Sequence, residues 1–179
     1  ASGIHLIGEV SDRLRARVMA TGELLATRIG AAYLAHEGLD VQWLDARTLL
    51  HAEERAGATA RANYLSATCN FEPDPALQQR LAQAGSVLLT QGFIASDAKG
   101  ETVLLGRGGS DTSGSYIAAK LHARRLEIWT DVPGMFTANP RQVPNARLLK
   151  SLDYDEAQEI ASSGAKVLRK VSIDVDTPL

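Results

Sequence analysis

The sequence has a single cysteine, Cys69, so no disulfide can form within the chain, and its place in the apolar run "YLSATC" suits a reducing compartment. Aromatic residues are scarce, 5% of 179 residues, which leaves the core to aliphatic side chains. No basic excess exists: 19 Lys and Arg stand against 21 Asp and Glu, for a formal net charge of −2 and an isoelectric point near 6.1. A nucleic-acid backbone or an anionic membrane is therefore not the expected partner, whereas a small molecule is. No apolar stretch approaches the ~20 residues that span a bilayer. No charged segment followed by a long apolar run opens the chain either. The four histidines, His5, His36, His51 and His122, are scattered without metal-ligand spacing. These absences describe one globular cytoplasmic domain with no metal site of its own.

What is present is an alternation of helical and strand-like segments. From Asp12 to Glu37, the apolar residues Leu14, Val18, Leu24, Leu25, Ile29, Tyr33 and Leu34 trace an approximate helical stripe that Gly38 ends, with Gly22 inside it. "VQWLDA" (41–46), "YLSATC" (64–69) and "SVLLTQGFI" (86–94) read as buried strands, and "DPALQQRLAQAG" reads as a Pro-started helix between the last two. "ETVLLG" (101–106) follows the turn "DAKG" and predicts a hairpin with "GFIAS". A helix to about Ala123 and a strand "RLEIWTDV" (125–132) follow, then a proline-punctuated loop and the acidic-started helix "DYDEAQEIASSGAKVL" (153–168). The alternation predicts an α/β fold with a mostly parallel sheet and helices on its faces.

Chemistry concentrates in "LGRGGSDTSGSYIAAKL", residues 105 to 121. A strand ends at Leu105, glycines let the backbone take positive φ, and a helix is expected to start near Asp111 or Thr112 with Ser and Asp available as caps. Helix N-terminal amides and Arg107 then face one place, where an anion is stabilised. The spacing is neither a phosphate-binding P-loop nor a dinucleotide fingerprint. Taken alone, a glycine turn with a capped helix and a solvated arginine accounts for it equally well. The balance shifts because "QGFIAS", "IWTDVPGMFTANPR" and "SSGAKVL" supply further polar, glycine-bearing strand ends, which gather into one crevice in an open parallel sheet.

"TQGFIAS", "LGRGGSDTS", "EIWTDVPGMFTANPRQVP" and "EIASSGAKVL", in that order, resemble the signatures of the amino acid kinase family and, within it, of aspartokinases; "RVMATGELLATRI" (17–29) resembles the family's substrate-binding helix. The resemblance covers roughly residues 12 to 168. Its texture is most similar to the aspartokinase part of bifunctional aspartokinase/diaminopimelate decarboxylase enzymes. It implies a three-layer α/β/α sandwich, incomplete here at its N-terminal edge. The implied reaction is phosphoryl transfer from ATP, with Mg²⁺ carried by the nucleotide, to the side chain of L-aspartate. Its product is 4-phospho-L-aspartate, the first intermediate of lysine, threonine and methionine biosynthesis. A homo-oligomer is the expected state.

The resemblance also implies roles for individual residues. Arg107 would clamp a substrate carboxylate bidentately, with Gly108, Gly109 and Ser110 around it. Asp111 and Glu23 would receive the substrate ammonium, and Gly22 beside Glu23 suggests a close approach. Asp111 as a plain helix cap and Glu23 as a solvated charge stay open beside these roles. Gly92, Thr130, Asp131, Phe136, Arg141 and Lys166 fall on the nucleotide side, where Lys166 would balance phosphate charge and act in catalysis with Arg107 and Asp111. Trp129 reads as core.

The sequence departs from the family pattern at several places. Phe136 stands for the usual Tyr, Asn139 for the usual Asp, and Arg169 and Lys170 for a His-Pro pair. None of Lys99, Lys120, Lys150, Lys166 and Lys170 precedes a Gly-Gly, so the family's Lys-Phe-Gly-Gly phosphate clamp is lacking, as are C-terminal regulatory domains. The expectation is a partial aspartokinase catalytic domain over residues 1–179 with little or no turnover alone. Two other readings remain: a kinase of another amino acid, and a noncatalytic ligand-binding or assembly protein with the same fold.

Overall fold

The computed structural model describes residues 10–129, 136–138, 142–149 and, for the backbone alone, 172–174. Contacts divide the chain into two units, Ala1–Ala123 and Arg124–Leu179.

The first unit opens with α1 (Asp12–His36), whose N-terminus is capped by the Ser11 hydroxyl accepting from the Leu14 amide. Its buried face differs from the expected stripe. Ala16 and Ala20 are buried against Ala46, Ile94 and Leu104, with Leu24 beside them, whereas Val18, Leu25, Ile29 and Tyr33 stand 57–69% exposed. The small side chains of Ala16 and Ala20 pack on Ile94 and Leu104, while Val18, Leu25, Ile29 and Tyr33 lie on the opposite face.

Two short strand pairs follow. β1 (Val41–Trp43) and β2 (Val87–Leu89) pair in parallel, Val41 opposite Val87. β3 (Ile94–Ser96) and β4 (Thr102–Leu104) form the expected antiparallel hairpin, its turn held by the Asp97 carboxylate, which accepts from the amides of Lys99 and Glu101. β1 ends earlier than the sequence suggested because Asp45 turns the chain into a 3₁₀ turn over Ala46–Thr48, accepting from the Arg47 amide. The predicted strand over 86–94 is two strands broken at Thr90–Phe93, where Phe93 takes φ 71°.

The predicted strand over 64–69 is not one. Thr59 caps a short helix, α2 (Ala60–Leu65), and only Cys69 then bridges Ala52. The Ala-rich start and the threonine cap favour helix locally, and the Ala67 amide still reaches the Leu104 carbonyl at 2.8 Å. The Pro-started helix is as expected: α3 (Pro75–Ala82) is capped by Asp74. The main core joins Leu49, Leu50, Leu77, Leu81, Val103 and Tyr116 with their buried neighbours. α4 (Gly109–Leu121) closes this unit at His122, in the left-handed region at φ 48°. Its Lys120 is turned inward, and the ammonium donates to the Asn70 side-chain oxygen at 2.7 Å.

In the second unit β5 (Arg125–Glu127) pairs antiparallel with β6 (Ser172–Asp174), Arg125 opposite Asp174. Phe136 bridges Leu148, and the Thr137 amide donates to the Arg147 carbonyl at 2.9 Å. Trp129, read as core, is instead 80% exposed, its indole N–H on Glu127. The predicted helix over 153–168 lies outside the described residues.

Candidate active site

The loop between β4 and α4 is shaped by three glycines, each for its own reason. Gly106 takes φ 78° and passes so close to α2 that a Cβ there would come within 3.3 Å of the Ser66 Oγ. Gly108, at φ 73° with nothing near it, turns the chain directly into the helix. Gly109 begins the helix and is buried; a Cβ on it would meet the Phe93 ring at 2.7 Å. The helix therefore starts earlier than expected. Asp111 lies in its first turn and is no cap, since the capping residue is Gly108 and no side chain makes the capping bond.

This geometry leaves the helix end open. The Gly109 amide donates to the Gly106 carbonyl, and the Thr112 amide to that of Gly108. The amides of Ser110 and Asp111 have no acceptor among the described residues. Arg107, Ser110 and Asp111 are exposed, and their side chains make no hydrogen bond or ion pair among the described residues. Two free amides, a helix dipole and a guanidinium favour an anion at this end, while the Asp111 carboxylate beside them offers a site for a cationic group.

Behind the loop runs a second segment, Thr90–Phe93, which packs against the loop and the start of α4. Gly92 lies against Ser110 so closely that a Cβ would stand 2.9 Å from the Ser110 Cα. The Phe93 amide donates to the Ser113 Oγ at 2.7 Å, and that hydroxyl donates to the Gly109 carbonyl at 2.6 Å. Of the predicted site residues, Gly92, Gly109 and Ser110 are thus packed together. Glu23, half-buried on α1, joins them indirectly. The Thr27 hydroxyl donates to the Glu23 carbonyl at 2.8 Å and accepts from the Gln91 side-chain amide at 2.8 Å. Gly22, which suggested a close approach, has open space on its Cβ side.

Gln91 is the residue the sequence reading missed. It is 1% exposed, and its side chain joins α1, the end of β1 and the turn at Ala46. Its one sequence signal is its position just before Gly92 in "TQGFIAS". Among the predicted nucleotide residues, Phe136 is half-buried beside its bridge to Leu148, while Thr130, Asp131, Arg141 and Lys166 lie outside the described residues. No group of His, Cys, Asp and Glu side chains that could hold a metal ion occurs among the described residues.

The amino acid kinase family matches residues 6–175. The chain belongs to the amino acid kinase family. It is 39% identical over 173 residues to a bifunctional aspartokinase/homoserine dehydrogenase of Buchnera aphidicola, covering 96% of this chain and 20% of that protein. It is 36% identical over 170 residues to the lysine-sensitive aspartokinase 3 of Escherichia coli, covering 91% of this chain and 35% of that protein. Among solved structures, E. coli aspartokinase III in complex with aspartate and ADP superposes with a TM-score of 0.72 at 35% identity, over 89% of this chain and 34% of that one. The α/β amino acid kinase fold expected from the sequence is therefore the one it shares with aspartokinases. The chain spans between a fifth and about a third of the length of these relatives.

Proposed function

We propose that this chain carries the amino-acid side of an aspartate kinase, transferring the γ-phosphoryl group of ATP to the side-chain carboxylate of L-aspartate to give 4-phospho-L-aspartate and ADP. The observation that carries the reading is the open start of α4, with the amides of Ser110 and Asp111 unclaimed and Arg107 uncommitted among the described residues, in a chain whose relatives are aspartokinases. An amino acid presents both signs of charge, and this helix end with its Asp111, together with Glu23 on α1, is proposed to answer both.

A carboxylate is already ionised at pH 7, so its oxygen attacks the γ-phosphorus, the bond to the ADP oxygen breaks, and no proton moves. No general base is needed. The protein's part is to hold two anions in line and offset their repulsion. Arg107 and the helix amides bind a substrate carboxylate, with Gly108 and Ser110 lining the approach, and Asp111 and Glu23 hold the ammonium. On the nucleotide side the proposed contacts are Gly92, Thr130, Asp131, Phe136, Arg141 and, for the phosphates, Lys166. Mg²⁺, arriving with the nucleotide, supplies further neutralisation of phosphate charge; the described residues offer it no site of their own.

The setting proposed with this reading is cytoplasmic amino-acid biosynthesis in the diaminopimelate pathway, with the kinase fused to a second enzyme. No helix among the described residues is long and apolar enough to cross a membrane. Self-association belongs to the same proposal, supported by the exposed Val18, Leu25, Ile29 and Tyr33 on α1. The test is ATP-dependent formation of aspartyl phosphate, trapped as its hydroxamate, for these 179 residues and for a chain extended upstream. Activity in the extended chain supports the reading. No activity in either, with no stabilisation by aspartate, refutes it in favour of a noncatalytic relative.

A further inference from the structure

We infer that Gln91 is a positioning residue for the amino-acid side of the site: through the Thr27 hydroxyl it fixes Glu23 relative to the loop that seats Gly109 and Ser110. The inference rests on the functional reading above.

A glutamine with 1% exposure has to satisfy its whole amide inside the protein. Gln91 does so with partners from three segments. One N–H donates to the Thr27 Oγ1 at 2.8 Å and the other to the Leu44 carbonyl at 3.1 Å, while its oxygen accepts from the Ala46 amide at 2.9 Å. Because the Ala46 amide can only donate, the orientation of the side-chain amide is fixed. Thr27 is equally saturated: its hydroxyl accepts from Gln91 and from the Trp43 indole at 3.1 Å, and donates to the Glu23 carbonyl.

The bond to Glu23 goes to its backbone carbonyl, one turn back along α1, so Gln91 anchors the turn of helix that carries the residue read as an ammonium contact. On its other side Gln91 is followed in sequence by Gly92, pressed on Ser110, and by Phe93, whose amide is held by Ser113. The two halves of the amino-acid site therefore hang from one short segment, Gln91–Phe93. Loss of the Thr27–Gln91 bond frees the turn of α1 that carries Glu23, while the start of α4 keeps its own contacts with Gly92 and Phe93.

This separation makes the role testable. Succinate carries the two carboxylates of aspartate without the ammonium, so it needs the Arg107 end and gains nothing from Glu23. The preference for aspartate over succinate is read as the ratio of concentrations giving half-maximal thermal stabilisation. Thr27→Val keeps the side-chain volume and removes the hydroxyl; Thr27→Ser retains it. Expected is a fall of about 5- to 30-fold in that preference for Thr27→Val, the factor for one or two kcal/mol, with Thr27→Ser near the parent ratio. Should Thr27→Val fail to fold, Thr27→Ala, a better helix former, makes the same deletion. An unchanged ratio in the folded variant, whatever its melting temperature, overturns the inference and leaves the functional reading standing. A parent chain indifferent to aspartate overturns that reading, and this inference with it.

Discussion

Replacing Gly92 with alanine tests the packing on which the site depends, and Gly22→Ala is its natural opposite. The added Cβ at Gly92 would stand 2.9 Å from the Ser110 Cα and 3.0 Å from its Cβ and Oγ. Two of these atoms belong to the frame of the helix and cannot rotate away, so Thr90–Phe93 and the start of α4 have to separate. Overpacking of this kind costs about 1–3 kcal/mol, and for a chain of this size each kcal/mol lowers the melting temperature by about 2–4 °C. The expected fall is thus about 2–12 °C, together with loss of stabilisation by aspartate. At Gly22, inside α1, a Cβ meets nothing within 4 Å. Alanine there gains about 0.5–1 kcal/mol from helix propensity, a rise of about 1–4 °C. Thermal melts by circular dichroism with and without aspartate read both. A neutral Gly92→Ala, or shifts of the same sign in the two variants, would refute the contact between the Thr90–Phe93 segment and α4.

Other perturbations bear on single groups. Arg107→Lys, in whichever form of the chain turns over aspartate, should raise the aspartate requirement far more than the ATP requirement, because an ammonium cannot form the two parallel bonds of a guanidinium; equal effects in steady-state kinetics would remove Arg107 from the substrate side. Burial pushes the Cys69 thiol up to about 11, so at pH 8 a disulfide reagent should label it only as fast as the protein opens, and rapid labelling of the folded chain would contradict its buried placement. The Asp45 carboxyl is held below its usual range, chiefly by the hydrogen bond from the Arg47 guanidinium. Its contribution to stability is therefore complete above the unfolded-state value near 3.8 and is lost as pH falls through the lower folded-state value. The stability gap between the parent and Asp45→Asn should be constant near neutrality and close only below about pH 4; a gap that instead closes on raising the pH would reverse this sign.

The features legible in the sequence are those decided locally. The Ser11 cap and Gly38 stop of α1, the Asp74-Pro75 start of α3 and the Asp97–Glu101 turn are each settled by residues a few positions apart. The face that α1 buries was not legible, because large apolar side chains mark a stripe while packing on Ile94 of β3 and Leu104 of β4 buries Ala16 and Ala20. The break at Thr90–Phe93 was hidden for the same reason. Its cause is Gly92 meeting Ser110 and the Phe93 amide meeting Ser113, contacts between segments about twenty residues apart that no window along the strand contains. Gln91 is the extreme case, since its partners lie 45 to 64 positions away.

The glycine loop shows why its structural and functional readings are not rivals. Read from sequence, its glycines let the backbone approach a ligand; in the fold Gly106 is spent on the contact with α2, Gly109 on the contact with Phe93, and only Gly108 faces open space. If glycines alone made the site, little would be left to bind with. Their packing instead frees other groups: with Gly108 in the left-handed region no side chain among the described residues caps α4, and the amides of Ser110 and Asp111 and the side chains of Arg107, Ser110 and Asp111 have no partner among them. A serine or aspartate at position 108 would lose the turn and offer a cap to those amides at once. It follows that Gly108 is the loop glycine whose replacement should weaken binding of a carboxylate most for the least change in packing, since a Cβ there would meet nothing within 4 Å among the described residues.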